Sequence, residues 1–219
     1  MFCVTEDELH FFDGVQGKRL LEVGCGSGHS LVWQAKHGAG ELWGLDISES
    51  QLRNASRWLA ENGVEAHLVC SPMEEPCGIP EGYFDYVYSI YALGWSTDLH
   101  CTFRRLAAYL KPGGTLIFSW NHPLYGRAGC VHVQGDRLVF DKSYFDRCDT
   151  EFTFDDGVLY LRNYSISDYV NALADAGFAI ERLVEQTDAE TLAASGDLTD
   201  KVRQAQMHPL SFVFKARKL

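Results

Sequence analysis

Residues Leu20 to Gly28 read Leu-Leu-Glu-Val-Gly-Cys-Gly-Ser-Gly, and Trp43-Gly44-Leu45-Asp46 follows at the distance of one helix. This pairing predicts a strand, a glycine turn, a helix and a second strand that ends in a carboxylate. Glycine lets the backbone turn sharply and approach a ligand closely, which any side chain would obstruct. A helix start offers unpaired N–H groups, and Asp46 can accept hydrogen bonds from both hydroxyls of a ribose. The pattern points to a nucleoside-cofactor site, with a plain helix-packing turn as the bland alternative.

The dinucleotide fingerprint places glycines at its first, third and sixth positions. Here they fall at the first, third and fifth, Gly24, Gly26 and Gly28, and the sixth position is His29. Glu22 also stands two residues before the first glycine. A carboxylate there would repel a pyrophosphate but could pair with the ammonium of an amino-acid moiety, directly or through water. That favours S-adenosylmethionine over NAD.

Four segments, Leu21 to Gly28, Gly44 to Ser48, Tyr83 to Val87 and Leu110 to Phe118, resemble the class I S-adenosylmethionine-dependent methyltransferases in order and spacing. The likeness covers about residues 18 to 120. It implies an α/β, Rossmann-like fold: a seven-stranded, mostly parallel sheet with helices on both faces and an antiparallel last strand. Residues 1–219 are expected to form one such domain, with an aromatic-rich insertion at about 121–164 between the fifth and sixth strands.

Composition excludes some functions. The 19 basic and 30 acidic residues leave a formal charge of −11, so a large nucleic-acid substrate is disfavoured. Seven cysteines, at positions 3, 25, 70, 77, 101, 130 and 148, form no CxxC pair. Their odd count, with three acids among the first ten residues instead of a secretory leader, predicts reduced thiols in the cytoplasm. No apolar run approaches a membrane span. His29, His37, His67 and His100 lack metal-ligand spacing, so no metal is expected.

Along the chain, strands are expected at 18–23, 41–45, 65–70, 84–90, 115–120, 178–184 and 211–216. Helices are expected at 30–36, 48–60, 99–110 and 165–176, the last opened by a Ser165–Asp168 capping box. Pro112-Gly113-Gly114 is read as a break before the fifth strand, and an N-terminal lid helix is expected to be short or absent unless Val4 to Phe12 supplies one or two turns. Gly135-Asp136 and Asp155-Asp156-Gly157 are read as turn signals inside the insertion, which is expected either to shape the acceptor pocket or to form an arm packing on the domain or a partner chain, as in a homodimer.

In an open α/β sheet the ligand lies beyond the carboxyl ends of the strands where strand order reverses. Gly24, Cys25, Gly26 and Gly28 would then face the methionine part and ribose, Asp46 the ribose hydroxyls and Ile47 the adenine face. Where the family commonly presents an Asp to the adenine amino group, this chain has Ser71, followed by Met73 and Glu74. Ser89 would pass beneath the sulfonium. Asp85 reads as a turn or edge carboxylate.

Methyl transfer from a sulfonium is an in-line displacement, which proximity and orientation can largely drive. A base is needed only if the acceptor must lose a proton. His122 is the candidate base, with a structural histidine at a Pro turn as the alternative. Tyr91 follows the fourth strand beside the expected methyl position. Trp95, Trp120, Asn121 and Tyr144 are candidate pocket residues, the aromatics suiting a planar or cationic acceptor. The Pro-Pro motif of amino-methylating nucleic-acid enzymes is missing; Ser89-Ile90-Tyr91-Ala92 stands there. These readings favour transfer of a methyl group from S-adenosylmethionine, leaving S-adenosylhomocysteine, to an O, N or C atom of a small molecule. The rivals are methylation of protein or RNA, and a protein that binds the cofactor without turnover.

Overall fold

The unbroken apolar run Leu20–Val23 requires a strand covered on both faces, and the computed structural model of the protein places it there. The structure describes residues 4–126, 131–146, 149–154 and 157–219. Eleven strands are assigned within them: β1 (Arg19–Val23), β2 (Glu41–Asp46), β3 (His67–Cys70), β4 (Phe84–Ile90), β5 (Leu110–Asn121), β6 (Val131–Gln134), β7 (Arg137–Phe140), β8 (Thr150–Phe154), β9 (Gly157–Leu161), β10 (Phe178–Val184) and β11 (Ser211–Lys218). Seven of them build one sheet in the order β10-β11-β5-β4-β1-β2-β3. β1 to β5 run parallel, and β11 lies antiparallel between β5 and β10. The fold is the expected Rossmann-like one, and its strand order reverses between β1 and β4.

The period of two along each strand sorts side chains to opposite faces. Leu20, Tyr88, Ile117 and Val213 face a layer that includes α2 (His29–Lys36) and α3 (Glu49–Glu61). Leu21, Val87, Phe118, Phe212 and Phe214 face α4 (Leu99–Tyr109) and α6 (Ile166–Asp175). Phe118 stacks on Phe214 with ring centroids 5.1 Å apart. Full burial of such a ring is worth about 1.5–3 kcal/mol.

Local signals fix the helix ends. Ser48 caps α3 by accepting from the Gln51 N–H, and Ser165 and Asp168 form the reciprocal box at α6. The N-terminal segment holds a single helical turn, α1 (Glu6–Leu9). Pro112-Gly113-Gly114 does not break the chain before the fifth strand as expected. β5 runs through it with a bulge, since Phe84 pairs Leu110 while Tyr86 already pairs Thr115. Gly113, at φ +73°, absorbs the excess chain.

The described parts of the insertion form two hairpins, β6–β7 and β8–β9, outside the main sheet. Three further short helices, α5 (Pro123–Gly126), α7 (Ala189–Ala193) and α8 (Asp200–Met207), and a 3-10 turn at Leu93–Trp95 complete the elements of the described residues. Cys25, Cys70, Cys77 and Cys101 are free thiols; Cys3, Cys130 and Cys148 lie outside the described residues, as do Asp155 and Asp156 of the expected turn. No helix among the described residues is long and apolar enough to cross a membrane.

Candidate functional site

The carboxyl ends of β1, β2 and β4 meet at the switch point. Gly24, Gly26 and Gly28 adopt φ of +73°, +49° and +76°, a region that L side chains enter only with strain. The turn is drawn onto β2 because the Gly24 and Cys25 N–H groups both donate to the Leu45 carbonyl, at 2.7 and 3.0 Å. It also abuts the loop after β4: a Cβ added to Gly24 would overlap the Cβ of Ala92. The cradle therefore needs a missing side chain on one strand and a small one on the other.

Asp46 ends β2 and fastens two loops. Its Oδ2 accepts the Gly26 N–H at 2.8 Å and its Oδ1 the Ser48 N–H at 2.9 Å. Each oxygen keeps a second lone pair, enough for the two hydroxyls of a ribose. Ile47, the next residue, leaves 53% of its surface in solvent, and Ile90 at the end of β4 leaves 40%. Large apolar groups exposed beside such a turn suit the flat face of a base.

Glu22 is 2% exposed. It accepts from the Tyr88 hydroxyl at 3.4 Å, and that hydroxyl accepts from Ser30 at 3.1 Å. Burial pushes its carboxyl up to about 8, against the pull of the Ser30 and Tyr88 hydrogen bonds and with added repulsion from Asp46. Burial likewise raises the Cys25 thiol far above the range of a reactive cysteine. Ser89 is fully buried and its Oγ has no hydrogen-bond partner.

At the expected adenine end, Ser71 donates its N–H to the Asp46 carbonyl at 3.0 Å and turns its hydroxyl to the Pro72 carbonyl. Met73 packs its side chain against the core. Glu74 accepts from the Thr97 N–H at 2.8 Å, so it ties this loop to the one before α4. Asp85 is a structural carboxylate, accepting from the Arg19 N–H and Lys111.

On the other side of the switch point, Tyr91 holds a left-handed backbone at φ +53°, a conformation that a bulky residue keeps only where its surroundings impose it. Its N–H donates to the Ser119 carbonyl at 3.1 Å. Trp120 faces Gly94, where any Cβ would overlap the indole. Tyr91, Trp95 and Trp120 come together, with ring centroids 6.4 Å apart for Tyr91–Trp120 and 5.8 Å for Trp95–Trp120. The insertion reaches this cluster through Phe152, edge-on to Trp95 at 5.5 Å. Tyr144 meets Phe145 edge-on. Asn121 pairs with Ser211 at the end of β5.

His122 is buried, and both of its ring nitrogens are engaged. Nδ1 accepts the Leu124 N–H at 3.2 Å, which leaves the proton on Nε2 to be donated to Glu185 at 2.8 Å. Burial lowers its proton affinity, partly offset by Glu185. In this arrangement no lone pair is free to collect a substrate proton; the histidine holds the turn after β5 to the end of β10.

Glu185, Phe152 and Ala92 were not visible as site residues in the sequence. Glu185 lies 63 positions from His122 with no local pattern to join them. Ala92 offered one signal, a small residue directly after the fourth strand.

Comparison with known proteins places this geometry among relatives. Residues 21–118 match a family described as Methyltransferase domain. An uncharacterized protein of Haemophilus influenzae is 32% identical over 132 residues, 59% of this chain and 50% of that protein. A ubiquinone biosynthesis O-methyltransferase of Bordetella avium is 35% identical over 105 residues, 48% of this chain and 43% of the enzyme. The chain thus matches half or less of these relatives' length. The crystal structure of an S-adenosylmethionine-dependent methyltransferase from Mesorhizobium loti superposes with a TM-score of 0.78 at 27% identity, covering 96% of this chain and 95% of that one.

Proposed function

We propose, from the premise that the chain belongs to the class I S-adenosylmethionine-dependent methyltransferases, that it methylates an O, N or C atom of a small molecule by direct in-line displacement. The observation that carries this is the left-handed glycine turn, closed against Ala92 and tethered to Asp46 at the switch point. The residues fit the family's cofactor: a cradle that a Cβ would fill, a carboxylate with lone pairs to spare, exposed isoleucines and an unpartnered Ser89 hydroxyl. When bound, S-adenosylmethionine supplies a methyl group made electrophilic by its sulfonium.

The chain's own residues bind and orient. Glu22 is assigned to the amino-acid ammonium, Gly24 to Gly28 to the methionine part and ribose, and Asp46 to the ribose hydroxyls. Ile47, Ser71 and Met73 are assigned to the adenine end and Ser89 to the floor below the sulfonium. Tyr91, Trp95 and Trp120 form the acceptor side, with Asn121 and Tyr144 as further pocket residues. Phe152 extends this wall from the insertion, within a single methyltransferase domain spanning 1–219. His122 is assigned a holding role, because both of its nitrogens are occupied. Proximity and exclusion of water then supply the catalysis.

A small acceptor is supported by the likeness to ubiquinone biosynthesis O-methyltransferases over part of their length, and by the net charge of −11, which opposes gripping a polyanion. Calorimetric titration with S-adenosylmethionine, S-adenosylhomocysteine and NAD tests the reading. Binding of both adenosyl sulfur compounds with NAD silent is expected; binding of NAD alone would overturn it.

A further inference from the structure

Glu22 is a buried carboxyl, and among the described residues the groups that act on it include no positive charge. On the sheet it lies between Gly44 of β2 and Tyr88 of β4. The titratable groups around it are the Tyr88 phenol from β4, Asp46 from β2 and the Cys25 thiol from the glycine turn, while α2 contributes the neutral Ser30 hydroxyl. All three are acids that turn negative when ionised, and none is a cation. Two hydroxyls cannot replace the hydration of a sealed carboxylate, so the neutral form is favoured.

We infer that this protein binds amino-acid-bearing adenosyl ligands with release of a proton from Glu22, whose carboxyl is neutral until the ligand's ammonium arrives and ionised opposite it. The inference rests on the cofactor reading above. The balance is simple: the Glu22 O–H bond breaks, the carboxylate keeps the electron pair, and the proton goes to solvent while the ligand keeps its own. The Tyr88 hydroxyl donates to Glu22 and accepts from half-buried Ser30, so a hydrogen-bonded chain links the carboxyl to α2. A group that must lose a proton to bind makes affinity rise with pH below its own titration point and level off above it. With that point at about 8, the dissociation constant for S-adenosylhomocysteine falls roughly tenfold per pH unit between about 6 and 7.5.

Titration calorimetry at pH 7 in phosphate and in Tris, buffers of small and large ionisation enthalpy, counts the protons. Wild-type protein is expected to release about 0.9 proton on binding S-adenosylhomocysteine, as a group titrating at about 8 requires. It is expected to release none on binding 5′-methylthioadenosine, which lacks the ammonium. Glu22→Gln is expected to release none with either. Equal binding heats in the two buffers for wild type with S-adenosylhomocysteine would overturn the inference. So would release with 5′-methylthioadenosine, or undiminished release by Glu22→Gln. Failure of S-adenosylhomocysteine to bind wild type at all would instead remove the cofactor reading, and the inference with it.

Discussion

Substituting Gly24 by alanine tests the cradle at its tightest point. Two costs add. The residue sits at φ +73°, where a Cβ costs about 1–2 kcal/mol of backbone strain. The new methyl also overlaps the Cβ of Ala92, and neither atom belongs to a flexible side chain that could swing away. Overpacking of this kind costs about 1–3 kcal/mol, so Gly24→Ala is expected to lose about 2–5 kcal/mol of stability. At about 2–4 °C per kcal/mol for a chain of this size, the thermal midpoint drops by roughly 5–20 °C. Ala92→Gly removes the facing methyl at a cost of about 1 kcal/mol by itself. In the double variant it should return the steric part, leaving a coupling of about 1–3 kcal/mol in a double-mutant cycle. Urea unfolding of the four proteins measures the cycle, and titration with S-adenosylhomocysteine reads the site. The backbone strain remains in the double variant, so stability recovers further than affinity. A Gly24→Ala protein as stable as wild type, or an Ala92→Gly change that only adds its own cost, would refute the contact between the two loops.

Asp46→Ala is expected to weaken S-adenosylhomocysteine binding by roughly 1–3 kcal/mol, the scale of lost charge-assisted hydrogen bonds; unchanged affinity in calorimetry would sink the ribose assignment. His122 binds a proton less readily when buried than when unfolded, so the unfolded chain takes up more protons as pH falls through the ordinary histidine range, and stability falls with it. His122→Gln removes that dependence, and its urea midpoint should change less than wild type's between about pH 7.5 and 5.5. Equal slopes would show that another group titrates there.

Much of the fold was legible because its signals are local. The run Phe84–Ile90 reads as a strand by its residue types, and Ser165 with Asp168 reads as a helix start by spacing alone. The glycine turn and Asp46 stood out by residue type and spacing, although the contacts that join them, such as the Gly26 N–H on Asp46, cross 20 positions of sequence. Pro112-Gly113-Gly114 misled because a local break signal gave way to a ladder that resumes on the far side of the bulge. His122 shows the other limit: its residue type suggested chemistry, but its contact with Glu185, 63 positions away just past β10, left no local trace in the sequence. In the aromatic-rich stretch the turn at Gly135-Asp136 was legible, but residue types alone did not mark where the strands of β6–β7 and β8–β9 begin and end.

The position of β11 carries a consequence for how the molecule is made. Translation delivers β1 to β5 first, and these can pair as neighbours while their helices cover them. β10 then emerges with no partner, because the strand that joins it to β5 follows it in the chain. Until Ser211–Lys218 is threaded between them, the nascent chain carries a bare β5 edge and Phe118 waits for the ring of Phe214. Closing that gap spans a long loop, which slows the step and leaves an open strand edge for chaperones or neighbouring chains to find. Vectorial synthesis thus completes β1 to β5 before the strand that seals the far edge of the sheet exists.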